Sequence, residues 1–348
     1  MAGDAQAVMA PLDMLRQFQA AREIERPKAN LARAWSDTVL LGRGWLEEKL
    51  TAMMIRRLAR HAHDRQAMIE ALRSLPMNNQ KWQAPTDERA NNPGALRPID
   101  GMVTDAYWMH RAPANRGVMI FLPATSFIMP AGRKQVRALQ SFATRHGIST
   151  VMMHYPLAPE HPFPAAIERV AADYRALIDN LDYRPEEIVI CGASAGASVG
   201  LGALQLVREA GGPMPAGLLL FSPWVDLTMS GWSYITRGLT AQIPIRMEFV
   251  AFCARLYLGD ALAVSPLASP LFADFSGLPP ILVHASRRDI YFDDSVRLVQ
   301  RAREAGIDAR INYWDHPQHF LEQFLSPEAA KSLELAAQFI NARLNSAG

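Results

Sequence analysis

The sequence predicts an α/β fold: a mostly parallel central sheet with helices on both faces, covered by helices from the N-terminus and from an insert. Three observations predict it. From about residue 100 onward, short apolar runs rich in β-branched residues alternate with segments of helical spacing; such alternation builds a parallel sheet with crossover helices. One run, Glu187-Ile188-Val189-Ile190-Cys191, passes through Gly192-Ala193-Ser194-Ala195-Gly196 directly into a stretch where Val199, Leu201, Leu204 and Val207 share helical spacing. The alternation then breaks once, over residues 229–265, where Trp232, Tyr234, Ile235, Met247, Phe249, Phe252, Leu256 and Tyr257 read as a helical insert.

Taken in order, residues 1–75 read as helices. Trp45, Leu46, Leu50, Met53, Met54, Ile55 and Leu58 give a broad apolar face, and Arg56, Arg57 and Arg60 a solvated one. Residues 76–100 carry Asn78, Asn79, Asn91, Asn92, Pro93 and Gly94 and read as a linker. Strands are expected at 103–110, 117–122, 149–153, 187–191, 216–221, 280–284 and 310–314. Pro164 suits the first turn of a helix running to residue 181. The expected organisation is an N-terminal helical cap and linker (1–99), a core in two pieces (100–228 and 266–348) and a cap insert (229–265). The N-terminal helices are also candidates for a contact between two copies in a homodimer.

Composition narrows the function. With 348 residues, 49% hydrophobic and 20% charged, the chain suits one large α/β domain, or one domain plus a lid. A net charge of only +2 points to no nucleic-acid or membrane-surface partner. No signal-peptide pattern and no membrane-spanning run are read from it, and Cys191 and Cys253 are not expected to pair, so a cytoplasmic location is expected. No cofactor or metal is expected either. His61 and His63 are joined by no ligand pattern, and no phosphate-binding glycine motif occurs. His110, His146, His154 and His161 are most simply structural.

The chemistry is concentrated at Ser194. A G-x-S-x-G turn between strand and helix is a nucleophile elbow, which projects the serine hydroxyl beyond the sheet. Such a serine needs a base, and the base an orienting acid, following it in the order acid then histidine. Only His284, His316 and His319 lie downstream. His284 closes an apolar run and is expected at a strand end. His316 and His319 share the loop after the last strand, and His319, just before Phe320 and the following helix, is preferred as the base. For the acid, Asp289 comes soonest after the 280–284 strand, whereas Asp293 and Asp294 suit the N-terminus of the helix at 296–304 as capping residues.

Further blocks carry a resemblance. Tyr155-Pro156-Leu157-Ala158-Pro159-Glu160-His161-Pro162-Phe163-Pro164-Ala165-Ala166, Ser222-Pro223-Trp224-Val225-Asp226-Leu227-Thr228 and Gly277-Leu278-Pro279-Pro280 are similar to blocks of the hormone-sensitive-lipase-like α/β hydrolases, the bacterial family IV esterases. The resemblance spans roughly residues 100–345. It implies an α/β-hydrolase fold, Ser194 as nucleophile, Asp289 as acid and His319 as base.

The departures are equally specific. Where that family carries His-Gly-Gly-Gly, whose N–H groups form most of its oxyanion hole, this chain has Pro123-Ala124-Thr125-Ser126-Phe127. A rebuilt hole is expected, from the N–H groups of Ala195, Thr125 and Ser126, with the Thr125 or Ser126 hydroxyl as an alternative donor. Ala193 replaces the family's Asp, Pro156 its Arg, and Arg287-Arg288 stand before Asp289, where they would either favour its ionised form or point to water as surface residues. The expected function is that of a serine carboxylesterase acting on a small or medium apolar acyl group. The alternatives are an amidase, lactonase or acyltransferase with the same triad, and a non-catalytic ligand-binding protein on the same scaffold.

Overall fold

Eight strands form one sheet in the order β1-β2-β4-β3-β5-β6-β7-β8. The computed structural model describes residues 97–112, 117–238 and 247–345, together with Ala67 and Glu70. The N-terminal helices expected over residues 1–75, most of the 76–100 linker and residues 239–246 of the insert lie outside the described residues. A contact between copies through those N-terminal helices falls outside them too.

The strands are β1 Arg97–Pro98, β2 Asp105–His110, β3 Val118–Leu122, β4 Ser149–His154, β5 Ile188–Ala193, β6 Gly217–Phe221, β7 Ile281–Ser286 and β8 Ala309–Trp314. β2 runs antiparallel to β1 and β4, and every pairing from β4 across to β8 is parallel. β3, β5, β6 and β7 are buried along their whole length, which is why they read as continuous apolar runs rather than alternating ones.

Period-two alternation still divides the core. Val118, Ile120, Ile190, Leu218, Leu220 and Val283 point to one face, where they meet Ile167, Val170, Val199, Leu204 and Leu298. Those residues come from α2 (Ala165–Asp179), α3 (Ala195–Glu209) and α6 (Phe292–Glu304). Met119, Phe121, Val189, Leu219 and Leu282 point to the other face and meet Val136, Leu139, Phe142, Ala336 and Ile340, from α1 (Arg133–His146) and α7 (Pro327–Asn345). Within the insert, α4 spans Trp232–Gly238 and α5 Met247–Leu258.

Strand order creates the site. From β3 the chain moves outward to β4, then returns to the far side of β3 as β5. Such a switch point opens a crevice at the carboxyl ends of the strands. Leu122, Gly192, Leu220, Val283 and Ile311 lie side by side across the sheet. The loops after β3, β5, β6, β7 and β8 therefore leave from one common edge.

Most strand bounds shift by a residue or two, and three of the differences have a tertiary reason. The second strand begins at Asp105 rather than 103, because Val103 and Thr104 turn their N–H groups onto the buried Asp173 carboxylate at 2.5 and 3.0 Å. Arg97 and Pro98, at the end of the expected linker, pair with Trp108 and Tyr107. β7 runs on to Ser286, so His284 is an interior strand residue and not a strand end.

Candidate active site

Ser194 occupies the turn between β5 and α3 with φ 53° and ψ −119°, a region that costs a non-glycine residue about 1–3 kcal/mol and persists only where surroundings enforce it. They do so here. The Ser194 N–H donates to the Phe221 carbonyl at 2.9 Å, and the Ser194 carbonyl accepts the N–H groups of Ala197 at 3.0 Å and Trp224 at 3.3 Å. The two glycines of the motif have steric causes. A Cβ on Gly192 would lie 2.6 Å from the Ala197 Cα, and one on Gly196 would overlap the Leu122 carbonyl and come within 2.8 Å of the Pro123 oxygen. The start of α3 is thus seated directly on the backbone where β3 ends.

Asp289 and His319 meet across the ends of β7 and β8. Asp289 is 2% exposed; its N–H donates to the Ser286 carbonyl at 3.0 Å. His319 Nδ1 donates to Asp289 Oδ2 at 2.7 Å, and the Tyr291 N–H approaches Oδ1 at 3.4 Å. The Tyr291 ring packs 4.9 Å from the imidazole and 5.4 Å from Trp224. Neither Arg287 nor Arg288 bonds the Asp289 carboxylate, whose side-chain partner is His319.

Both neighbours of His319 are fastened. Ser286 Oγ, at the end of β7, donates to the Gln318 carbonyl at 2.7 Å, and the Phe320 N–H donates to Ser222 Oγ, just past β6, at 3.1 Å. Phe320 holds φ 47°, a left-handed backbone sustained by those anchors. His316 is turned into its own loop, where Nδ1 accepts the Gln318 N–H at 3.1 Å.

The two following acids do not cap their helix; α6 has no side-chain cap bond. Asp293 accepts the Ser233 N–H at 2.9 Å. Asp294 is fully buried and accepts the N–H groups of Val225 and Asp226 and the Tyr234 hydroxyl, at 2.9, 3.0 and 2.9 Å. Burial, and then the neighbouring Asp226 carboxylate, push the Asp294 carboxyl well above the usual range. These acids tie the loop after β6 and the insert to α6. Their helix position suggested capping, but partners some sixty to seventy residues away claim them.

The loop after β3 keeps left-handed backbone without glycine: Ser126 has φ 49° and Phe127 φ 64°. The Thr125 hydroxyl, an alternative oxyanion donor from the sequence, is already engaged: it lies 2.7 Å from the Tyr155 hydroxyl and accepts the Phe127 N–H at 3.1 Å. Phe127 stacks on Tyr257 of α5 at 4.0 Å, so the insert packs on this loop. Ala195 is the first residue of α3, so its N–H has no carbonyl within the helix to bond.

Beneath His319 lies a polar chain that sequence reasoning missed. Ser332 Oγ donates to Glu322 Oε1 and accepts His284 Nδ1–H at 2.7 Å; His284 Nε2 then accepts from Asn312 Nδ2 at 3.2 Å. Burial lowers His284 to about 3, keeping it neutral, and raises Glu322 to about 7. Cys191 and Cys253 are both buried and free.

The chain matches the profile of a family described as alpha/beta hydrolase fold over residues 119–322. It is similar to an acetyl-hydrolase of Streptomyces hygroscopicus, 32% identical over 68% of this chain and 79% of that one. It is also similar to an esterase of Acinetobacter venetianus, 34% identical over 66% of this chain and 76% of that one. Among solved structures, an esterase from the bacterial hormone-sensitive lipase family is 30% identical with a TM-score of 0.68, over 85% of this chain and 98% of the other.

Proposed function

The chain belongs to the α/β-hydrolase family, and from that premise we propose that it is a serine carboxylesterase acting on esters of small or medium apolar acyl groups. The observation that carries this reading is the 2.7 Å hydrogen bond from His319 Nδ1 to the buried Asp289 carboxylate. It commits the Nδ1 proton to the acid and leaves Nε2 as the basic nitrogen.

In this reading Ser194 Oγ adds to the ester carbonyl carbon while its proton passes to His319 Nε2. The Asp289 carboxylate stabilises the imidazolium. The oxyanion is met by the N–H of Ala195, at the positive end of α3, and by those of Thr125 and Ser126. Each such donor is worth about 2.7–4 kcal/mol to the transition state. The tetrahedral intermediate collapses as His319 gives its proton to the leaving alcohol. Water then attacks the acyl-enzyme, His319 takes its proton, and the second intermediate releases the carboxylic acid as His319 returns the proton to Ser194. The acetyl-hydrolase name of one relative supports a small acyl group, and the esterase name of another supports ester cleavage.

The test is steady-state hydrolysis of p-nitrophenyl acetate, butyrate and decanoate. The acetate and butyrate are expected to turn over fastest, with Ser194→Ala and His319→Ala reduced to background. Parent-level turnover by either variant would overturn the mechanism; preference for decanoate would overturn the acyl assignment.

A further inference from the structure

A backbone that holds two successive left-handed residues, Ser126 and Phe127, with no glycine between Leu122 and Ala131 must be held from outside. Gln135 on α1 closes its side-chain amide on Ala124 from both sides. Oε1 accepts the Ala124 N–H at 2.9 Å, and Nε2 donates to the Ala124 carbonyl at 2.7 Å. Gln135 is buried, at 5% exposure. It is the third residue of its helix, where a glutamine ordinarily reaches back to the N-cap N–H. Here the N-cap is Gly132 without a side-chain bond, and the amide is directed across to the loop.

Tyr155 supplies a second pin. Its hydroxyl proton goes to the Pro123 carbonyl at 2.7 Å, so its oxygen accepts the Thr125 hydroxyl. Thr125 Oγ accepts the Phe127 N–H, and the Thr125 carbonyl accepts those of Ile128 and Met129. Ala124, Phe127, Ile128 and Met129 are thereby engaged. Among the described residues, the N–H groups of Thr125 and Ser126 have no acceptor. They follow directly on the residue that Gln135 grips, in a loop whose first carbonyls lie against Gly196 of α3.

We propose that Gln135 is a positioning residue: by fixing the peptide groups on both sides of Ala124, it aims the next two N–H groups, Thr125 and Ser126, at the oxyanion that forms on the Ser194 adduct. The proposal rests on the ester-hydrolysis reading above. Gln135 touches no substrate; it acts through the loop, and the clamp stands where flexible glycines would otherwise need no support. An apolar residue of equal size would leave the loop packed but the Ala124 N–H and carbonyl without their partner.

The experiment compares wild type, Gln135→Met and Gln135→Glu on p-nitrophenyl acetate, with inhibition by an aryl trifluoromethyl ketone, whose serine adduct carries an oxyanion. Gln135→Met keeps the volume and removes both bonds; Gln135→Glu keeps the acceptor for the Ala124 N–H and loses the donor to its carbonyl. Misaiming reacting groups by about 1 Å costs roughly a hundredfold. Gln135→Met is therefore expected to lose about that much in kcat, with KM within about twofold and ketone affinity falling in parallel with kcat/KM. A folded Gln135→Met with parent kcat, or with its loss confined to KM, would overturn the proposal. If that variant does not fold, Gln135→Glu decides: a kcat loss with parallel ketone weakening supports the clamp, and parent kinetics refute it. A wild type that neither hydrolyses the ester nor binds the ketone would remove the parent reading itself, an outcome separate from active wild type with unaffected variants.

Discussion

Ser222 Oγ accepts the N–H of Phe320 at 3.1 Å, joining the end of β6 to a residue 98 positions later. With the matching bond from Ser286 Oγ to the Gln318 carbonyl at 2.7 Å, it brackets His319. The position of the imidazole is thus set by the ends of β6 and β7 as well as by Asp289. Replacing Ser222 by alanine leaves a buried N–H without a partner, which costs about 1–3 kcal/mol. Ser222→Ala is expected to melt several degrees lower and, in the folded protein, to lose roughly tenfold in kcat as the histidine drifts. Thermal melts and kcat measured well below the melting temperature check both.

The acids around the site separate by what each one holds. Asp289→Asn is expected to lower kcat by roughly 10³–10⁴-fold with little loss of stability, because an amide can impose the wrong imidazole tautomer. Asp294→Asn is expected to act on stability, since Asp294 holds Val225, Asp226 and Tyr234, and Asp293→Asn to be mild in both. His316→Ala, which loses the bond within its own loop and an electrostatic contact with Glu328, is expected to stay within about tenfold of the parent kcat, far above His319→Ala. Kinetics and melting curves on the six proteins, parent included, decide the ordering.

Residues that shape the fold were legible where local pattern and tertiary demand coincide. The apolar runs of β3, β5, β6 and β7 are continuous because both faces of the sheet are covered, and Gly192 and Gly196 mark the turn because no Cβ fits there. Legibility stops where a residue's partner is distant. Asp294 follows Asp293 at a helix start and reads as a cap, yet it is claimed by a loop 69 residues away. Gln135 and Ser332 are ordinary polar residues in the sequence, and Ser222 stands out there only as part of a block of resemblance; only the fold sets them against Ala124, Glu322 and Phe320. The loss of glycine after β3 was visible, but the side chains that hold that loop come from α1 and from Tyr155.

Glu322 gives the protein a pH signature. Burial raises its carboxyl to about 7, against an ordinary value of 4.5, although the Ser332 hydrogen bond pulls the other way. Below the ordinary value both folded and unfolded chains hold the proton. As pH rises toward 7 the unfolded chain releases it first, so stability falls, and above 7 the cost is constant at roughly 3 kcal/mol. Glu322→Gln escapes this cost while keeping an acceptor for Ser332. The variant is expected to gain on the parent steadily between pH 4.5 and 7.5, as read by urea denaturation; a gap that does not change with pH would exclude Glu322 as its source.

The left-handed residue Ser126 offers a test of strain. A Cβ in that region costs about 1–2 kcal/mol, and glycine adds about 0.4–1 kcal/mol of chain entropy to the unfolded state. The first effect is the larger, so Ser126→Gly is expected to be more stable than the parent by up to about 1.6 kcal/mol. Denaturant midpoints at equal slope measure it.

The proposed mechanism depends on Ser194 as the nucleophile and His319 as its base. Intact-mass spectrometry after treatment with a fluorophosphonate tests it most directly. One adduct per chain is expected, located on the Ser194 peptide, absent in Ser194→Ala and formed at least a hundredfold more slowly in His319→Ala. An adduct that persists in Ser194→Ala, or labelling of His319→Ala at the parent rate, would contradict it.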